Sequence, residues 1–80
     1  MYDYTELVSY IVKSIVSHPD EVKVSYVEGD RTNRLEVSLN AEDVGKVIGR
    51  GGRVIKAIRT LARAAATRTG KRVSVEILRS

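Results

Sequence analysis

The chain has 80 residues and a mass of 8.9 kDa, near the lower limit at which one core sustains a fold, with roughly 60% of the unfolded surface buried; one domain over residues 1–80 fits, two do not. An apolar fraction of 42% and a charged fraction of 30%, with a net charge of +4, match an ordinary globular composition and argue against a disordered tail. The absence of a long apolar run or a signal-peptide start leaves the cytoplasm as the expected location with no membrane contact, and with no cysteine and a single histidine, His18, no disulfide, thiol nucleophile, metal centre or cofactor is expected.

Tyr4, Leu7, Val8, Ile11, Val12 and Ile15 recur at helical spacing. Asp3 with Glu6 forms a capping box in which Asp replaces the usual Ser or Thr. Pro19 ends this first helix, because the residue before a proline avoids helical geometry. Val22, Val24 and Tyr26 then alternate with polar residues, as do Leu35, Val37 and Leu39, and the turn-prone stretch Gly29 to Asn33 lies between them; this pattern predicts a hairpin with one buried face. Asn40 caps a short helix with Glu42 and Asp43 in its first turn, at the positive end of the helix dipole, and Gly49 ends it.

A longer helix runs from about Arg53 to about Thr69, with Gly70 suited to its C-terminal cap. Val54, Ile55, Ile58, Leu61, Ala62 and Ala65 share one face, and Arg53, Lys56, Arg59 and Arg63 form a basic stripe on another. Val73, Val75 and Ile77 alternate as a last strand. The order α-β-β-α-α-β makes the second and third strands candidates for parallel neighbours across the helical pair. The expected fold class is α+β, a three-stranded mixed sheet with three helices on one face.

Charge divides the chain. Residues 1–40 hold four bases and seven acids, whereas residues 41–80 hold ten bases and three acids. Between Val44 and Val75 there is no acid, while Lys46, Arg50, Arg53, Lys56, Arg59, Arg63, Arg68, Lys71 and Arg72 all fall there. Such a block favours a polyanion, although a solvated helix face is the plainer alternative. The acids Asp20, Glu21, Glu28 and Asp30 cluster where a loop and hairpin should be solvated, and no acid and base are paired for catalysis. His18 is placed near a helix C-terminus, where positive charge is mildly favourable. Neither an enzyme nor a small-molecule substrate is expected.

Gly49-Arg50-Gly51-Gly52 joins the short helix to the basic one. Glycines permit positive φ and let a ligand's backbone approach the loop amides, and the loop abuts a helix N-terminus, where an anion is favoured. A tight helix-to-helix turn needs the same glycines. A Walker loop is excluded, since the fifth residue after Gly45 is Arg50 and no Lys-Ser or Lys-Thr follows; the dinucleotide pattern fails at Val54 and follows a helix rather than a strand.

Val47-Ile48-Gly49-Arg50-Gly51-Gly52-Arg53-Val54-Ile55 resembles the V-I-G-x-x-G-x-x-I signature of the KH domain at every fixed position. The resemblance extends to Gly45-Lys46 before it and Lys56-Ala57-Ile58-Arg59-Thr60 after it. The element order resembles the type II, prokaryotic form, and the extent of the chain resembles the small stand-alone bacterial members. The family implies a groove that clamps about four unpaired nucleotides. Carried over by position, Gly49, Arg50, Gly51 and Gly52 hold the phosphates, Arg50, Arg53, Lys46 and Lys56 supply charge, and Val44, Val47 and Ile48 form an aliphatic floor. Val47 and Ile48 are also wanted by the core, and Val54 and Ile55 are read as core alone. The resemblance further implies an RNA chaperone or post-transcriptional regulator with little sequence selectivity, a homodimer, and a larger KhpB-like KH-containing protein as partner. The alternative is an interaction module that pairs through the apolar face of the first helix or through the loop region and binds nucleic acid weakly. The basic stripe does not separate RNA from DNA. There is no Trp or Phe, and Tyr2, Tyr4, Tyr10 and Tyr26 lie outside the helical pair, so base stacking on aromatic rings is not expected at the loop.

Overall fold

A computed structural model describes residues 4–68 and 70–79. Helix α1 (Tyr4–Ile15) buries Tyr4, Val8 and Val12, one residue per turn along a single stripe. Asp3 of the expected capping box lies outside the described residues. Pro19 opens a 3₁₀ turn, Pro19–Glu21, which leads into strand β1 (Lys23–Val27). Strand β2 (Asn33–Leu39) pairs antiparallel with β1, from Lys23 opposite Ser38 to Val27 opposite Arg34, and the Gly29 amide donates to Asn33 Oδ1 at 3.2 Å to close the turn. Leu35, Val37 and Leu39 are fully buried. On β1 the alternation is weaker, as suits an edge strand: Val24 is half-buried and Tyr26 is 40% exposed, its ring tilted against Tyr4 with centroids 5.9 Å apart.

Asn40 caps the next segment as expected, its Oδ1 accepting from the Glu42 amide at 2.8 Å. A 3₁₀ turn, Ala41–Asp43, runs into helix α2 (Val44–Ile48) and, after the glycine loop, helix α3 (Arg53–Thr67). The inward face of α3 is Ile55, Ile58, Ala62 and Ala66, with Val54 and Ala65 half-buried beside it. Leu61 departs from the expected apolar face and is 47% exposed. It lies about 100° around the helix from Ala62, on which the packing is centred. Past α3, the Lys71 amide donates to Ala66 O at 3.2 Å and the Gly70 amide to Thr67 O at 3.0 Å, with Gly70 at φ +75°. That is the Schellman arrangement expected of a C-terminal glycine. Strand β3 (Val73–Arg79) then lies parallel to β2, Leu35 opposite Val75, giving the order β1-β2-β3. The α+β class, the element order and the parallel pair are as the sequence predicts.

Asp43 is fully buried. Its Oδ1 accepts from the Ser17 amide at 3.0 Å, and its Oδ2 accepts from the His18 amide and faces His18 Nδ1, each at 3.0 Å. Lys46 Nζ lies 3.6 Å from Oδ1 and donates to Ser17 Oγ. Burial pushes the Asp43 carboxyl up, but the Ser17 amide and both His18 groups outweigh it and hold it below its ordinary value. The hydrogen bond that the His18 ring makes to the Asp43 carboxylate raises His18 above its ordinary value against an opposing effect of burial, and the charges of Asp43, Glu21 and Glu42 act in the same upward direction.

Asp43 therefore contributes stability above its unfolded value of 3.8, lost as pH falls through the lowered folded value. His18 contributes stability below 6.5, lost as pH rises through its raised folded value. Thermal stability should peak between these limits and decline on both sides. Asp43→Asn should lower Tm by more than about 5 °C at pH 5.5, since unmet buried donors cost roughly 1–3 kcal/mol and each 1 kcal/mol moves a domain of this size by about 4–8 °C. The variant should also lose the decline in Tm between pH 6 and 8. Calorimetry across pH 3–9 checks both, and an unchanged alkaline slope in the variant would uncouple His18 from Asp43.

Candidate nucleic-acid interface

The loop begins where α2 stops. The Gly49 amide donates to Gly45 O at 2.9 Å, and Gly49 then adopts φ +77°, ψ 170°, a backbone region essentially closed to other residues. Space imposes the same choice, because a Cβ at Gly49 would sit 2.4 Å from Val54 Cγ2. The chain makes one 3₁₀ turn, Arg50–Gly52, in which the Gly52 amide donates to Gly49 O at 3.1 Å and the Arg53 amide to Arg50 O. Gly51 and Gly52 are at φ +65° and +75°, yet a Cβ on either would meet nothing within 4 Å. Among the described residues, the Arg50 and Gly51 amides have no hydrogen-bond partner. Two donors thus stand in an open turn directly before α3.

The side chains around this turn divide into two groups. Arg50, Arg53 and Lys56 are exposed, and among the described residues no carboxylate is within ion-pair distance of them. Ile48 is 38% exposed beside the loop and Val44 is half-buried. Val47 is fully buried, so it supports the loop from within the core and offers no surface to a ligand. Lys46 is drawn to Asp43 and Ser17 at the other end of α2. Arg59 leaves the solvated stripe: it is half-buried, and its Nε donates to Val75 O on β3 at 3.3 Å. On the apolar face of α1, Tyr4, Val8 and Val12 are buried in the core, Ile11 packs against it, and Leu7 and Ile15 are half-buried.

The Asp43 anchor is missing from the sequence reading, which gave that residue only a dipole role. The signal was its spacing four residues before Val47, which puts it on the inward face of α2. The described tyrosines, Tyr4, Tyr10 and Tyr26, lie on α1 and β1. Among the described residues, no group of three His, Cys, Asp or Glu side chains could hold a metal ion, and no helix is long and apolar enough to cross a membrane.

The loop geometry ranks its glycines. Gly49→Ala should cost at least about 2 kcal/mol, from a glycine-only conformation plus the Val54 clash, whereas Gly51→Ala should cost only about 1 kcal/mol for its positive φ. Urea denaturation of the two variants measures the difference, and equal costs would contradict the geometry.

Similarity to known proteins agrees with this arrangement. The profile of the KhpA/KhpB KH domain matches residues 5–77. A protein of Borreliella burgdorferi named RNA-binding protein KhpA is 51% identical over 73 residues, which is 91% of this chain and 89% of the relative. Its namesake in Clostridium acetobutylicum is 52% identical over 73 residues, covering 91% and 97%. Among solved structures, a GDP-bound crystal structure of Aquifex aeolicus Era superposes with a TM-score of 0.65 at 19% identity, over 95% of this chain and 29% of that one, a likeness of fold. With the signature on an open turn between two helices and the profile spanning nearly all of its length, the chain belongs to the KhpA/KhpB family of KH domains.

Proposed function

We propose that the chain is an RNA-binding protein that grips single-stranded RNA by its backbone, about four nucleotides at a time. The observation that carries this reading is the pair of unpartnered amides at Arg50 and Gly51 in an open turn, with free space at Gly51 and Gly52 and the unpaired cations Arg50, Arg53 and Lys56 around it. A phosphodiester supplies the acceptor oxygens for those amides and the charge for Arg50, Arg53 and Lys56. The names of the relatives from Borreliella burgdorferi and Clostridium acetobutylicum support RNA as the polymer. Ile48 and Val44 offer aliphatic contact to bases, and contact of that kind discriminates little. The role we assign is RNA chaperoning or post-transcriptional regulation in a bacterial cytoplasm, with no reaction catalysed.

Pairing of two copies, or with a KhpB-like KH-containing protein, is a second reading. Leu61 on α3, 47% exposed, is a solvent-facing leucine that such pairing would cover. Light scattering with and without RNA measures whether the mass doubles and whether RNA reverses it.

Replacing Arg50 and Gly51 together by Asp places two negative charges at the open amides and leaves the buried faces of α2 and α3 intact. Binding to a short single-stranded RNA should fall below detection, with circular dichroism unchanged. With about three phosphates neutralised, the wild-type log–log salt slope on a tetranucleotide should be near about −2. Matched single-stranded RNA, single-stranded DNA and duplex separate the polymers. Undiminished affinity in the folded double variant would overturn the clamp.

A further inference from the structure

A second concave basic surface lies at the opposite end of α3 from the glycine loop. A cleft of about 320 Å³ is lined by Thr32, Arg63, Thr67, Lys71, Arg72 and Val73. An adjoining cleft of about 310 Å³ shares Arg63 and Val73 with it and continues along β3 past Arg59. Three cations and two threonines therefore converge on one hollow. Among the described residues none of Arg63, Lys71 and Arg72 has a carboxylate partner. Glu76, at the rim of the adjoining cleft, already has its carboxylate 3.1 Å from Arg34 Nε.

The hollow is held in shape by backbone bonds. The Schellman turn seats Lys71 against the last turn of α3, and the Asn33 amide donates to Arg72 O at 2.9 Å, fixing Arg72 to the start of β2. Beneath the cations, Val73 and Val75 are buried. Arg59, whose Nε is bonded to Val75 O, lies between this hollow and the loop. Arg63 lies ten helical steps after Arg53, about 15 Å of rise, a distance that an extended single strand crosses within a few nucleotides.

We propose that this cleft is a second phosphate-binding station, which takes the sugar-phosphate backbone of a single-stranded RNA already held at the glycine loop. The inference rests on the RNA-binding reading above. It adds that the footprint exceeds the tetranucleotide, that the strand runs along the α3–β3 side, and that Arg63, Lys71 and Arg72 carry the added contacts. Thr32 supplies a hydroxyl donor at the same place, whereas the Thr67 hydroxyl already donates to Arg63 O at 2.8 Å.

The test compares mixed-sequence single-stranded RNAs of 4 and 12 nucleotides by fluorescence anisotropy, using the full chain. The double variant Arg63→Gln, Arg72→Gln removes two exposed charges, and Lys71→Gln serves as an independent single change. The expected result is about tenfold weaker binding of the 12-mer by the double variant, and a salt slope reduced by about 1.4 for two lost phosphate contacts. Affinity for the 4-mer should be unchanged. Equal loss on both lengths, or no loss on the 12-mer, overturns the second station while the clamp stands. If the charge reversal at the loop, Arg50→Asp with Gly51→Asp, spares the 12-mer and only the cleft variants weaken it, the clamp fails, and with it the cleft's place as a second station on a strand held at the loop. Wild-type protein that binds neither RNA overturns both.

Discussion

The glycine loop can present its amides only if α2 keeps its place, and α2 has five residues, too few to be stable as an isolated helix. Its position is set from outside. Asp43, immediately before it, is buried and bonded to the Ser17 and His18 amides and to the His18 ring, which ties the start of α2 to the segment leaving α1. One turn later Val47 enters the core, and at the far end Gly49 lies against Val54. Burying a carboxylate is costly, and its retention here depends on full hydrogen bonding. The same anchor draws in the Lys46 ammonium and makes that side chain part of the scaffold.

The uneven distribution of charge along the chain becomes, in three dimensions, a separation of paired from unpaired cations. Acids near the basic half are engaged: Asp43 and Glu42 face His18, and Glu76 joins Glu36 around Arg34. Arg34 belongs to the acidic half of the sequence, so the cations of the loop and of α3 keep their field. A surface whose bases are not neutralised at home raises the local concentration of a polyanion and speeds its arrival.

Much of this was legible in the sequence, because each element announced itself by local periodicity or by punctuation. Pro19, Asn40, Gly49 and Gly70 each mark a boundary that the structure uses, and the signature around Gly49 located the loop. What escaped was non-local. Nothing in the run containing Asp43 reveals that Ser17 and His18, 26 and 25 residues earlier, would supply its donors. Periodicity also could not tell that α3 is centred on Ala62 and leaves Leu61 outside, since the choice depends on what α1 and β3 present to it. The parallel pairing of β2 and β3 is foreseen from the element order, but the convergence of Thr32, Arg63, Lys71 and Arg72 also depends on how the turn after α3 meets the turn before β2, which no local pattern specifies.

Recognition built from these parts has a definite character. In the proposed clamp, amides and cations would meet phosphates, which are alike along any strand, and so would fix position without reading bases. No described tyrosine lies on α2, the loop or α3, so none of these elements offers a tyrosine ring for stacking, which is worth about 1–3 kcal/mol per base. A small site of this kind gains affinity chiefly by touching more phosphates. A lengthened electrostatic track along α3 follows from the same chemistry as the clamp, and it would make strand length, more than sequence, the property that such a domain selects.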